Sequence, residues 1–291
     1  MTAAKVPVLV STDWLAAHLD DPSVKVAGIR IEPGEPDGGH IPGALSWFWK
    51  DAFWDTLARE FATPDQLARR LAAQGISETT TLVLYSPRVQ FSIYGHWVLT
   101  EMCGHPDTRV LDGGWPKWLA EGRPVAATAV APDAAQPGPY RQARAERDDA
   151  TRIRREELLS RLGGRTVIVD ARSAEEYAGL RVRPLPGFDH GAERAGRIPG
   201  ARHLPVSQLL GPDGTFRPKE EIEAIFRAAG AAPDQAEEVI AYCRLGHRAS
   251  MAWFAASRIL GWSHLRVYDG SWTEWGSSVG MPVERDEPPA L

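Results

Sequence analysis

Three short motifs occur twice in this chain, and each pair is separated by the same 157 residues. "GHIPGA" (Gly39 to Ala44) recurs as "GRIPGA" (Gly196 to Ala201), and "LVLYSP" (from Leu82) recurs as "VIAYCR" (from Val239). "LDGGWPKW" (Leu111 to Trp118) recurs as "YDGSWTEW" (Tyr268 to Trp275). Chance matches would not keep step, so this is a duplicated domain, and both halves must satisfy one fold. A length of 291 residues is comfortable for two domains of ordinary size. The join falls in Ala126 to Asp149, where eight Ala and three Pro occur without a sustained apolar period. The expected boundaries are 1–125 for the first domain, 126–149 for a linker and 150–291 for the second domain.

Within the second copy, "RTVIVDAR" (Arg165 to Arg172) is a β-branched run of buried-strand length. "PKEEIEAIFRAAG" from Pro218 opens on proline, carries early acidic residues and closes on glycine, as a helix does. "EEVIAYC" reads as a second strand, "ASMAWFAASRILG" from Ala249 as a second helix and "HLRVYD" from His264 as a third strand. Strands alternating with helices imply an α/β fold. Each tandem domain is then a mostly parallel sheet with helices on both faces. Ligands of such sheets bind beyond the carboxyl ends of the strands, and Cys243 stands at one of those ends.

Composition narrows the function classes. With 43% hydrophobic and 24% charged residues the chain is neither disordered nor fibrous. A net charge of −5 gives no long-range pull toward nucleic acid or an anionic membrane, so any anion site must be local. The first apolar run is interrupted by Thr12 and Asp13 and is too short for a secretory signal. No segment has the length needed to span a bilayer. Two cysteines do not make a disulfide framework, and the expected setting is reducing and cytoplasmic. His40, His96, His105, His190 and His203 lack metal-ligand spacing, so neither a metal nor a cofactor is expected.

The loop after the second strand of this copy reads Cys243, Arg244, Leu245, Gly246, His247, Arg248. A thiolate, not a thiol, is the nucleophile. The N-terminus of a following helix supplies unpaired N–H groups and a partial positive charge that favour an anion. Gly246 permits a tight turn, successive N–H groups form a nest, and Arg244, Arg248 and His247 add charge. The loop is thus an anion cradle with a nucleophile at its floor.

These features resemble the tandem-domain rhodaneses, sulfurtransferases of the thiosulfate type. "CRLGHR" is similar to that family's six-residue active loop, "YDGSWTEW" to its closing motif, and "GHIPGA" with "GRIPGA" to its paired domain motif. The resemblance implies two rhodanese-like domains with Cys243 as the catalytic residue and Arg244, Leu245, Gly246, His247 and Arg248 binding substrate. It implies a relay in which Cys243 takes the outer sulfur of thiosulfate as a persulfide. A nucleophilic acceptor then removes that sulfur: cyanide in the assay, a thiol in the cell, or a partner protein. Ser86 stands where the first domain would carry its cysteine, so that domain is expected to be silent. Relatives that use mercaptopyruvate have small neutral residues after the cysteine. The cations Arg244 and Arg248 here favour a dianion. One position departs from the family: an arginine that binds the donor in some members, just before Tyr177, is Glu176 here, and Arg181 or Arg183 is the candidate replacement.

Two further functions compete. A phosphatase loop separates Cys from Arg by five residues, whereas four separate Cys243 from Arg248. A non-enzymatic persulfide-carrying module would use the same cysteine, as would a 3-mercaptopyruvate sulfurtransferase. Cys103 has Leu260 as its repeat partner and reads as a packed core residue. Trp115 with Trp272, and Trp118 with Trp275, recur in both copies and read as structural anchors. Trp47, Phe48, Trp49, Phe53 and Trp54 read as core or inter-domain packing, with lining of the cleft beside Cys243 as the second reading. For Asp170 and Arg172, an ion pair bracing the loop and a plain surface pair both stand open.

Overall fold

The computed structural model describes residues 7–34, 38–131, 140–141, 144, 146–184, 186 and 188–286. The chain divides into two compact units, residues 1–149 with 212–216, and residues 150–211 with 217–291. Of the expected linker, residues 132–139, 142–143 and 145 lie outside the described residues. Three of its later residues are bonded onto the first unit: Tyr140 Oη to His105 Nδ1 at 2.8 Å, the Arg141 N–H to Glu78 at 3.1 Å, and Arg147 to the Phe61 carbonyl at 2.8 Å.

The first unit contains β1 (Leu9–Val10), β2 (Val24–Arg30), β3 (Leu45–Phe48), β4 (Trp54–Asp55), β5 (Glu60–Phe61), β6 (Thr81–Tyr85) and β7 (Thr108–Leu111). Its helices are α1 (Thr12–Ala17), α2 (Trp49–Phe53), α3 (Pro64–Ala72), α4 (Val89–Trp97) and α5 (Gly114–Ala120). Five strands form a wholly parallel sheet in the order β1-β7-β6-β2-β3, and β4 and β5 make a small antiparallel pair. The second unit contains β8 (Arg152–Ile153), β9 (Val167–Asp170), β10 (Arg202–His203), β11 (Val239–Tyr242) and β12 (Leu265–Tyr268). Its helices are α6 (Arg155–Arg161), α7 (Ala174–Ala178), α8 (Lys219–Ala228), α9 (His247–Phe254) and α10 (Ser271–Trp275). Its parallel sheet runs β10-β9-β11-β12-β8, the same order with the same central strand. The α/β expectation for both copies holds. Strands β9 and β11 are buried at every position, as parallel strands covered on both faces must be.

The repeated motifs have a physical reason. In "IPGA" the glycines Gly43 and Gly200 adopt φ +77° and +74°, the left-handed position that a Pro-Gly turn requires. The tyrosine ending each central strand holds that turn: Tyr85 Oη accepts the Ile41 N–H, and Tyr242 Oη accepts the Ile198 N–H, both at 3.2 Å. The closing tryptophans are buried anchors, with Trp118 and Trp275 each donating an indole N–H to a proline carbonyl at 2.8 Å. Trp47, Trp49, Phe53 and Trp54 are buried in the first unit, joined by edge-to-face contacts, so the core reading holds for these four, while Phe48 is half-buried against Trp49. Neither α4 nor α9 ends as an ordinary helix. Both widen into π-helical turns, Val98–Cys103 and Ala255–Leu260, at equivalent positions of the repeat. Cys103 is buried at the end of the first of these. No helix among the described residues is long and apolar enough to cross a membrane.

Candidate functional site

Cys243 follows the last residue of β11, which is flanked by β9 and β12, so the thiol sits beyond the carboxyl end of the central strand. The chain bends through Arg244 and Leu245, and Gly246 takes φ +88° as the N-cap of α9. A side chain there would be strained, which is why glycine fits this turn. The far side of the loop is tied to α10: the Trp272 N–H donates to the Cys243 carbonyl at 3.0 Å and the Thr273 N–H to the Arg244 carbonyl at 3.1 Å. The Cys243 N–H donates to Ser271 Oγ at 3.0 Å, and that hydroxyl donates to the Tyr268 carbonyl at 2.8 Å. Among the described residues, the N–H groups of Arg244, Leu245 and Gly246 have no hydrogen-bond partner, the condition for an anion nest. Cys243 itself is 1% exposed, and Arg244 and Leu245 are half-buried. His247 is buried at the first position of α9.

Beneath the loop lies a buried ionic network. Arg172 pairs with Asp170 through Nε and Nη2, the closest contact being 2.6 Å, and both side chains are fully buried. Tyr242 Oη donates to the same carboxylate at 2.6 Å, and Arg172 also donates to the Gly196 carbonyl at 2.7 Å. Asp170 and Arg172 are therefore an interior brace at the root of the Cys243 loop and not a surface pair. Burial alone would lower the Arg172 pKa, but Asp170 beside it raises it well above the ordinary value.

Arg248 turns to a carboxylate of the same unit. Its guanidinium makes a two-pronged bond to Glu176 at 2.6 and 2.9 Å, and Glu176 is fully buried. The same carboxylate accepts the Ser173 N–H at 3.1 Å, completing a capping box on α7. Burial pushes the Glu176 pKa up, but the bonds and charge of Arg248 outweigh it and hold the carboxyl below its usual range. The charge of Arg248 is thus balanced inside the protein, and Arg244 is the loop cation with no carboxylate partner among the described residues. Sequence inspection could not see this pair, because its members are 72 residues apart and nothing in either motif marks them.

A second cation joins Arg244 from the stretch after α7. Arg183 contacts His190 Nε2 at 2.7 Å, and Arg244 donates to the His190 carbonyl at 3.2 Å. Gly191, at φ +115°, lies flat against the Arg244 guanidinium, where any Cβ would collide with it. Burial, then the charges of Arg183 and Arg248, lower the Arg244 pKa from its ordinary value. Arg181 donates to the Arg183 carbonyl at 2.9 Å, so of the two candidate replacements Arg183 is the one beside Arg244.

The first copy shows the equivalent loop with a serine at the cysteine position. Ser86 is buried and its hydroxyl donates to the Ile29 carbonyl at 2.9 Å. Strand register makes Gly28 the counterpart of Asp170, and Arg30, the counterpart of Arg172, has a buried Nε with no partner. Gly114 stands in place of Ser271; both adopt left-handed backbone, φ +56° and +52°. Ser271 was not singled out from the sequence, although this Gly-to-Ser difference was its visible signal.

Among the described residues no group of three or more His, Cys, Asp or Glu side chains could hold a metal. A family model for the rhodanese-like domain matches residues 11–121 and again 154–278. The sulfur carrier protein TtuD of Thermus thermophilus is 39% identical, over 99% of this chain and 100% of that protein. A Saccharopolyspora erythraea protein provisionally named a thiosulfate sulfurtransferase is 37% identical, over 96% of this chain and 97% of its own length. Among solved structures, YnjE superposes with a TM-score of 0.79 at 27% identity, covering 97% of this chain and 69% of that one. An EanB variant bearing a cysteine persulfide, in a tetrahedral intermediate state with ergothioneine, superposes with a TM-score of 0.79 at 26% identity, covering 97% and 71%.

Proposed function

The chain belongs to the rhodanese-like sulfurtransferase family, and from that premise we propose that Cys243 takes the outer sulfur of thiosulfate and passes it to a nucleophilic acceptor. The Cys243 thiolate attacks that outer sulfur, the S–S bond of thiosulfate breaks, and sulfite leaves with the electron pair. A persulfide anion remains on Cys243. Cyanide or a thiolate then attacks the terminal sulfur, and Cys243 departs as the thiolate that began the cycle. The observation that carries this reading is that the three backbone amides following Cys243 have no hydrogen-bond partner among the described residues, in a loop that also carries the Arg244 guanidinium. Preorganised donors of this kind stabilise charge as it develops on sulfur. Arg183 and Arg244 are the residues we assign to the anionic end of the donor. The first unit, with Ser86 bonded back to Ile29 and Gly28 in place of the brace, is catalytically silent in this reading. Both cysteines are free, which supports a reducing, cytoplasmic setting.

Mass spectrometry after thiosulfate treatment should find one added sulfur atom on the peptide containing Cys243. No adduct, or an adduct surviving Cys243→Ala, refutes the assignment. A second donor has its own support. Because Glu176 balances Arg248, the loop carries less net charge than its sequence suggests, and a monoanion such as 3-mercaptopyruvate gains relative to a dianion. The ratio of turnover with the two donors separates the readings.

A further inference from the structure

We propose that Leu180, Arg183, Phe188 and His190 form a docking surface for a protein sulfur acceptor whose thiol sits on an acidic segment bearing an apolar side chain. This proposal rests on the persulfide reading above. Arg172 and Arg197 are fifteen residues further apart in sequence than their first-copy counterparts Arg30 and His40. The extra length has no counterpart in the copy that has Ser86 at the loop. It leaves Phe188 81% and Leu180 64% exposed, two large apolar side chains within the inserted stretch, of which Phe188 reaches the Cys243 loop through His190.

The segment is tied together and aimed. Asp189 accepts the N–H groups of Val182 and Arg183, both at 3.0 Å, which holds these three residues together. The Phe188 ring stacks on His190 with centroids 6.2 Å apart. His190 in turn touches Arg183 and Arg244, and Gly191 lies against the Arg244 guanidinium. The exposed ring is therefore two residues from a group that contacts the neighbour of Cys243.

Charge decides the kind of partner. Among the described residues neither Arg183 nor Arg244 has a carboxylate partner, while Asp189 is turned onto backbone and Glu176 onto Arg248. In a chain of net charge −5, this is a local cationic mouth, complementary to acidic side chains. Cys243 is 1% exposed, so only a narrow, extended end of an acceptor reaches it. In the transfer, the acceptor thiolate attacks the terminal sulfur of the Cys243 persulfide. The bond between that sulfur and Cys243 Sγ breaks, Cys243 leaves as a thiolate, and the acceptor becomes the persulfide, with no net oxidation.

The full chain is loaded with thiosulfate, freed of donor and mixed with one of four acceptors. These are cyanide, glutathione, a hexapeptide with three acidic residues, a leucine and a phenylalanine ahead of a C-terminal cysteine, and the same peptide with lysine for each acid. The acidic peptide should take sulfur about tenfold faster than the lysine peptide and faster than glutathione, an advantage that shrinks as salt rises. The Leu180→Ser/Phe188→Ser variant should lose that advantage while its cyanide rate stays unchanged, which also shows that it is folded. Equal rates for the two peptides, glutathione matching the acidic peptide, or equal losses with cyanide and peptide would each overturn the docking surface. A chain that never loads sulfur from thiosulfate refutes the persulfide reading instead.

Discussion

Replacing Glu176 by glutamine isolates the ion pair that holds the last arginine of the loop. The carboxylate is fully buried and accepts Arg248 at 2.6 and 2.9 Å and the Ser173 N–H at 3.1 Å. Glutamine keeps the shape and one acceptor oxygen, but sets an NH2 group against a guanidinium N–H and leaves a buried charge uncompensated. Breaking a buried pair from one side costs about 3–5 kcal/mol. The capping oxygen can survive, so the expected loss is about 3 kcal/mol, at the lower end of that range. It is read from the urea midpoint at unchanged slope, and from hydrogen exchange of α9 amides, because two units need not unfold together. The pH dependence has a definite sign. The folded pKa of Glu176 lies below its ordinary 4.5, so the folded state binds fewer protons than the unfolded one. Its stabilisation is complete above the ordinary value and is lost as pH falls through the lower folded one. The difference between wild type and Glu176→Gln should therefore be flat near neutrality and shrink below about pH 4.5. Combining Glu176→Gln with Arg248→Met should cost less than the sum of the single changes. A variant within about 0.5 kcal/mol of wild type at pH 7, or a difference unchanged in acid, would refute the reasoning.

Four more outcomes are expected. Asp170→Asn leaves Arg172 buried without its counter-charge and should destabilise the second unit by about 3–5 kcal/mol in denaturant unfolding, with turnover falling in parallel. Ser271→Gly relieves a left-handed serine but frees the Cys243 N–H; near-neutral stability with a lower kcat is expected, and unchanged kcat would count against a positioning role. Ser86→Cys should gain no sulfur from thiosulfate by mass spectrometry, because Gly28 and Gly114 stand where Asp170 and Ser271 support the Cys243 loop. Burial pushes the Cys103 thiol up to about 11, so it should resist alkylation at pH 8 until the chain is unfolded.

Much of the fold was legible because duplication doubles every signal. The strands Val167–Asp170, Val239–Tyr242 and Leu265–Tyr268 are β-branched or aromatic runs, and a parallel sheet follows from their alternation with helices. The π-helical turns were not legible: Val98–Cys103 and Ala255–Leu260 keep ordinary helix-forming residues, and the extra residue per turn is set by packing. Of the site, the motif announced Cys243, Gly246 and the turn. What it hid were the partners that arrive from elsewhere in the chain.

Those partners separate the two copies more than the exchange of Cys243 for Ser86 does. A serine at the loop would be one atom's change, reversible in principle by a single substitution. Yet the first copy also has Gly28 where the brace needs Asp170, Gly114 where Ser271 holds the Cys243 N–H, and no segment equivalent to Glu176 through His190. Each absence removes a fixed charge or a directed bond from beneath or around the loop. An anion nest works only when its amides are held in place before the anion forms. Restoring a thiol at Ser86 therefore supplies a nucleophile to a loop whose foundations are missing, and reactivity should return only when Asp170, Ser271 and the Glu176 pair have counterparts as well.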